Sequence, residues 1–260
     1  MSLRRRSAPI FLLAMLLPLL GGCFFQKDLR SPFVVYAPYQ LGESAPAGEL
    51  IFAVAPLRNE SGVSLVDELA ITDELAYQIE RAEGLAALPV NRTLEAMRAL
   101  GIATVSTPAE ARTLARAMGA DAIVVGTITA WDPYEPPVLG LSVAMYSGSR
   151  RIEARAEMDP FELQRATTDQ QPTGPTLPDR DAPLSAVSSH LDASDHIVRS
   201  KALRYAWGRV DKRAPMGAEE IVKSMERYTE FCCFVLVEGL MDAERVRLER
   251  ERAVLQASSE

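Results

Sequence analysis

Ala122-Ile-Val-Val-Gly-Thr-Ile-Thr-Ala-Trp131 is the stretch on which the fold turns. It is apolar and rich in β-branched residues, the composition of a central strand covered on both faces. The residues before it show how the chain arrives there. In Thr107-Pro-Ala-Glu110 the threonine can cap a helix, proline suits the first helical position, and glutamate can reach back to the cap. That helix presents Leu114 and Met118, stops at Gly119, and passes through Ala120-Asp121 into the strand.

The same pattern recurs upstream. Leu50-Ile-Phe-Ala-Val-Ala55 is a continuous apolar run ended by Pro56, again a strand buried on both faces, and a polar loop, Arg58-Asn-Glu-Ser-Gly62, follows it. A helical stretch to Glu83 places Leu65, Leu69, Ala76 and Ile79 on one stripe, with Gly84 as its C-terminal cap. Leu85-Ala-Ala-Leu88 with Val90 reads as a second short strand. Asn91 and Thr93 are cap candidates for a helix carrying Leu94, Met97 and Leu100 and stopped by Gly101. Downstream, Asp132-Pro-Tyr-Glu-Pro-Pro137 is a rigid turn, because its prolines cannot continue a sheet. Val138 to Tyr146 then alternates, as do Ile152, Ala154, Ala156 and Met158, which predicts a β-hairpin with one wet face. The fold class is therefore α/β (α+β), a layered mixed sheet of about 4–5 strands with flanking helices, spanning residues 50–164.

Residues 165–190 are rich in Pro, Ser and Thr and are expected to form a linker or loop. Residues 191–260 are expected to form a helical C-terminal segment that packs on the domain. One helix resumes near Asp192-Ala-Ser194 with Val198, Ala202, Tyr205 and Ala206 on one face. A long final helix starts at about Ala218 and carries Ile221, Met225, Tyr228, Cys232 and Val235 at helical spacing. Beyond Met241 it becomes Glu- and Arg-rich, the pattern of a solvated projecting helix. The adjacent Cys232 and Cys233 lie in an apolar stretch, where free thiols pack as small hydrophobes.

The amino-terminal region carries an address. Arg4, Arg5 and Arg6 precede an uncharged, mostly apolar run from Ala8 to Leu20, too short to span a bilayer as a helix and weakened by Pro9 and Pro18. Leu20-Gly21-Gly22-Cys23 follows and resembles a bacterial lipobox, which implies cleavage before a cysteine whose sulfur carries diacylglycerol. Residues 1–22 are thus expected to be a lipoprotein signal peptide. Cys23 is the expected lipidation site, and 23–49 the lipidated Cys with an extended tether. The signal peptide holds three arginines and no acid, so the remaining chain has 25 basic and 35 acidic residues, a net charge of −10. That charge argues against nucleic acid and against electrostatic adhesion to anionic lipid, so membrane attachment is expected through the covalent lipid. Phe24 stands after the cysteine where an aspartate would favour inner-membrane retention, a mild preference for the outer membrane.

Val54-Ala-Pro-Leu-Arg-Asn-Glu-Ser-Gly62, with Met118-Gly-Ala-Asp-Ala-Ile-Val-Val-Gly-Thr127, resembles the domain shared by CsgG, LpoB and the N-terminal part of TolB. The resemblance covers about Leu50 to Tyr146. Its motifs serve strand-to-loop geometry and form no catalytic signature. It implies a non-enzymatic module facing the periplasm and acting through contact with other envelope proteins, closest to an uncharacterised lipoprotein family. A subunit of an oligomeric CsgG-like secretion assembly is the alternative. Such a pore needs long amphipathic hairpins, and the second arm of the expected hairpin carries Arg151, Glu153, Arg155 and Glu157.

Catalytic chemistry finds little support. His190 and His196, flanked by Asp192 and Asp195, could supply metal ligands for a weak metal-dependent hydrolase, but helix capping explains the same residue types. Ser61 follows a strand without a Gly-x-Ser-x-Gly elbow, and the glycines form no phosphate loop. The chain is read as no enzyme and as needing no cofactor beyond the lipid. Candidate partner-surface residues are Asn59, Glu60 and Ser61 in the first loop, with Trp131 and Tyr134 at the proline-rich turn. Aromatics beside prolines are favoured at contact surfaces.

Overall fold

Side-chain alternation along the first strand sets the layers. The computed structural model describes residues 49–152, 182–207, 209 and 215–258, all within one unit spanning Phe33–Glu260. Strands β1 (Leu50–Val54), β2 (Arg58–Asn59), β3 (Leu85–Ala87), β4 (Ala122–Asp132), β5 (Val138–Ser147) and β6 (Ser185–Asp192) form one mixed sheet. Its order is β3-β1-β4-β5-β6, with β2 paired separately to β4. β1 runs parallel to β3 and β4, and the run β4, β5, β6 is antiparallel. Parallel neighbours need crossovers. Helix α1 (Glu68–Glu80) precedes β3, while α2 (Val90–Leu100) and α3 (Pro108–Met118) lead from β3 to β4. Helices α4 (His196–Ala206) and α5 (Met225–Ser258) follow β6, with a 3-10 turn at Gly217–Val222 between them.

Leu50, Phe52 and Val54 face a core shared with Leu75 and Ile79 of α1, Tyr205 of α4, and Phe231, Leu236 and Leu240 of α5. Ala53 and Ala55 face the other way, against Met97 of α2 and Leu114, Ala115 and Met118 of α3. The sheet is therefore sandwiched between two helical layers, and β1 and the first half of β4 are buried on both faces. Thr107 and Glu110 form the expected capping box: the Thr107 hydroxyl accepts from the Glu110 N–H, and the Glu110 carboxylate accepts from the Thr107 N–H. The two backbone N–H bonds, led by that from Ser106, hold the Glu110 carboxyl below the usual carboxylate range.

The architecture is the expected mixed α/β sheet with a long terminal helix, but several elements differ. β5 lies between β4 and β6, so both its edges are taken and none is left for an Ile152–Met158 hairpin arm. Of that arm only Ile152, a buried turn residue, falls within the described residues. The expected 165–190 linker ends in a strand: Ser185, Val187, Ser189 and Leu191 alternate with the exposed Ala186, Ser188 and His190. Serine-rich composition hides this alternation. Gly239 of α5 allows the approach, since a Cβ there would lie 3.1 Å from Val187. On α1 the buried face is Ile71, Leu75, Ala76 and Ile79, whereas Leu65 and Leu69 are 77% and 44% exposed. Gly84 has φ +81° but lies beyond the helix, which is capped at Arg81. Pro89, not Asn91 or Thr93, stands at the cap of α2.

The end of α5 is less solvated than its charge suggests. Glu244 is fully buried and accepts from Arg247 Nε at 2.7 Å, while Arg247 also binds Glu251 and the Ile152 carbonyl. Leu248 packs against the core beside them. Among the described residues, no helix is long and apolar enough to cross a membrane.

Candidate functional site

The loop after β2 is built by its own side chains. Asn59 Oδ1 accepts from the Ser61 N–H at 3.0 Å and from the Ser61 hydroxyl at 2.7 Å, while Asn59 Nδ2 donates to the Val63 carbonyl at 2.8 Å. The Ser61 hydroxyl oxygen in turn accepts from the Val63 N–H at 3.2 Å. Small polar residues are needed here because each closes a turn two residues along, a task an aliphatic side chain cannot perform. Ser61 thus holds the loop and is bonded to no base. β2 pairs with Thr127 and Ile128 of β4, and the Glu60 N–H donates to the Ile128 carbonyl at 2.9 Å. This pins the loop beside the strand that carries Trp131. The Glu60 carboxylate pairs with Arg58 on the surface.

Trp131 packs partly against the core formed with α1 and α5. It also lines a groove of about 330 Å³ with Leu65 and Asp67 from the loop leading into α1, Glu74 of α1, and Met225, Glu226 and Glu230 of α5. Tyr134 is 77% exposed on the Asp132–Pro137 turn, where the Tyr134 N–H donates to Asp132 Oδ1 at 3.0 Å. The groove therefore brings Trp131 together with Leu65 and Asp67; Asn59, Glu60 and Ser61 do not line it and sit earlier on the same connection, with Glu60 bonded beside Ile128 of β4. Tyr134 follows three residues after Trp131, on the adjoining turn.

The α5 side of this groove was not foreseen from sequence. Its signal was present as Glu226 and Glu230 four residues apart on one helix. What sequence lacked was the partner element. Charge in the groove is unevenly compensated. Asp67 Oδ1 caps α1 by accepting from the Ala70 N–H at 2.9 Å, and Glu230 accepts from Arg227 at 2.7 Å. Glu74 accepts from a neutral amide, Gln78 Nε2 at 2.6 Å. Burial pushes the Glu74 carboxyl above the usual range, the Gln78 bond partly offsets this, and the nearby Glu230 charge adds to the rise.

The remaining candidates are engaged elsewhere. His190 is exposed on β6 opposite Gly140, and His196 is 91% exposed at the start of α4. Asp195, not Asp192 or Ser194, caps α4: its Oδ1 accepts from Ile197 N–H at 2.7 Å and from Val198 N–H at 3.4 Å. Asp192 turns the chain, held below the usual carboxylate range by the Ser194 hydroxyl and N–H. Among the described residues, no three His, Cys, Asp or Glu side chains group as a metal site. Cys232 and Cys233 are free and buried, and burial pushes both thiols well up, away from the nucleophilic thiolate. Asp121 sits at the start of β4 beside Ile51, and Glu60 sits further along β4 at Ile128, so the two acids do not share a sheet end. Leu20, Gly21, Gly22 and Cys23 lie outside the described residues.

Sheet order, crossovers and helical layers define a mixed α/β protein whose candidate site is a surface groove. No family model matches the chain, and no curated protein matches it in sequence. Several solved structures resemble it in part. The LpoB C-terminal domain from Salmonella enterica is 17% identical, covers 39% of this chain and 73% of that one, and has a TM-score of 0.32. LpoB from E. coli is 14% identical over 40% of this chain and 52% of that one, with a TM-score of 0.35, so the chain spans about half of that structure. Lipoprotein GNA1162 from Neisseria meningitidis is 13% identical over 58% of this chain and 91% of that one, with a TM-score of 0.35.

Proposed function

We propose that this chain is a lipid-anchored protein of the bacterial cell envelope that faces the periplasm and acts as a non-enzymatic accessory, through contact with another envelope protein. The observation that carries this reading is the groove where Trp131 meets Leu65 and Asp67 of the loop into α1, with the exposed Tyr134 on the turn that follows β4. An aromatic side chain at a concave site with an apolar rim supplies contact area at low entropic cost. The hydroxyl, imidazole and thiol groups considered for catalysis are held in turns, exposed on the surface, or buried in the core, and none is paired as nucleophile and base. The lipid on Cys23 belongs to the same proposal and rests on the lipobox sequence; the outer membrane as its location belongs to it too and rests on Phe24 after the cysteine.

Photo-crosslinking in cells tests the contact surface. A crosslinking residue at Glu60 or at Tyr134 should each give a discrete adduct of the same mass, while one at the exposed Glu95 of α2, in the opposite layer, should not. Equal adducts from all three positions, or none from Glu60 and Tyr134, would remove the basis for this surface.

A further inference from the structure

We propose that the groove beside Trp131 receives a basic side chain, arginine or lysine, presented next to an apolar residue by an extended segment of the partner protein. The inference rests on the contact reading above and names the chemistry of what is contacted.

The first argument is charge. Glu74 on α1 and Glu230 on α5 line one groove from two packed helices, and their negative charges raise each other's energy. Neither is in the first turn of its helix, where the helix dipole would favour an acid. Arg227 binds Glu230, and Arg81 lies 5.7 Å from the Tyr77 ring centroid, its charge only a minor influence on Glu74. A carboxylate held half-buried beside a like charge is satisfied best by a cation placed between the two.

The second argument is shape and apolar surface, independent of charge. The groove has about 330 Å³, room for a long side chain and too little for a folded domain element. Trp131 is the side chain over which a cationic head or its aliphatic stem gains most. At the rim, Leu65 is 77% exposed and is joined by the thioether of Met225. An apolar neighbour of the basic residue would cover Leu65, which a bare metal ion would leave in water. A phosphate or nucleic acid would meet like charge and is excluded by the same carboxylates.

The test uses the full-length chain in detergent micelles with Trp207→Phe, which leaves Trp131 as the one indole N–H to follow by NMR. The probe is acetyl-Leu-Arg-Leu-amide, with the citrulline peptide as its neutral counterpart and calcium chloride as the ionic control. The arginine peptide should shift the Trp131 resonance saturably. Affinity should fall at least tenfold for citrulline and at least tenfold with Glu74→Gln plus Glu230→Gln. Glutamine keeps an acceptor for Gln78, so folding should be retained, and an unchanged amide spectrum elsewhere checks it. The proposal is overturned by no saturable shift, by equal binding of the citrulline peptide, by indifference to the double variant, or by calcium alone reproducing the effect. Failure here with crosslinks still formed from Glu60 and Tyr134 would overturn the basic-residue inference alone. Loss of both would overturn the contact reading as well.

Discussion

Asp121 ties three segments together with one carboxylate. Its Oδ2 accepts from the Ile51 N–H at 3.0 Å and from Arg151 Nη1 at 2.8 Å, and its Oδ1 accepts from the Ser149 hydroxyl at 2.6 Å. The start of β1, the entry to β4 and the turn after β5 are thereby joined at a residue only 4% exposed. Removing it takes the acceptor from the Ile51 N–H and one partner each from Ser149 and Arg151. Asp121→Ala should therefore cost about 2–4 kcal/mol, read as a lower urea midpoint at unchanged slope; a loss below about 1 kcal/mol would show that the three segments do not depend on it. Glu74 gives a prediction of opposite sense. Its carboxyl is raised above 4.5, so the folded state holds that proton more tightly than the unfolded chain. Stability from this group is highest below pH 4.5, falls as pH rises toward the raised value, and stays lower above it. Glu74→Gln removes this slope, so the variant should gain on the parent between pH 4 and pH 7 in paired urea titrations. A gap that stays constant over that range would contradict the raised carboxyl. The turning role of Asp121 was legible in sequence, because an acid between a glycine-stopped helix and a buried strand has few other tasks. The groove neighbours of Glu74 on α5 were not, since Glu230 comes from a helix about 150 residues further along the chain.

Elements whose signals are local were readable, and those whose faces are chosen by distant neighbours were not. The α3 start carries cap, proline and glutamate within four residues, and the helix begins where those say it should. Thr107→Ala should cost about 1 kcal/mol through the lost cap, with thermal unfolding as the measure, and Thr107→Ser should restore most of it. By contrast, the face that α1 buries is set by α5, and a stripe including Leu65 and Leu69 is equally helical in period. β6 escaped notice because two of its four inward positions are serine, and a half-polar inward row looks like a loop. The charged end of α5 misled for the reverse reason. Opposite charges at helical spacing describe a solvated face equally well, yet Glu244 is fully buried and its pairing with Arg247 brings the helix to the Ile152 carbonyl. Arg247→Ala should then take the guanidinium from a buried carboxylate at about 3–5 kcal/mol, and Glu244→Leu with Arg247→Leu should be the milder change. Equal losses in single and double variants would show the pair to be superficial.

At the scale of the whole molecule, charge and anchorage are linked. Cleaved before Cys23 as proposed, the chain would carry a net charge of −10 and be repelled by anionic lipid, and its described residues contain no helix long and apolar enough to cross the bilayer. The described sheet lies between two helical layers, and under the proposed reading firm membrane association comes from the amino-terminal lipid. The proposed lipid at Cys23 would supply that at roughly 0.8 kcal/mol per buried methylene, and two or more acyl chains would hold the protein through a salt wash. The expected outcome is a separation of two properties. Cys23→Ser should move the protein from the membrane to the soluble fraction while leaving the unfolding midpoint of the domain unchanged. The parent should stay with membranes in high salt, because its attachment is apolar and is not screened. If Cys23→Ser sediments with membranes as firmly as the parent, the anchor lies elsewhere. If the parent itself washes off in salt, attachment runs through a protein contact, and the groove beside Trp131 becomes the first place to look for it.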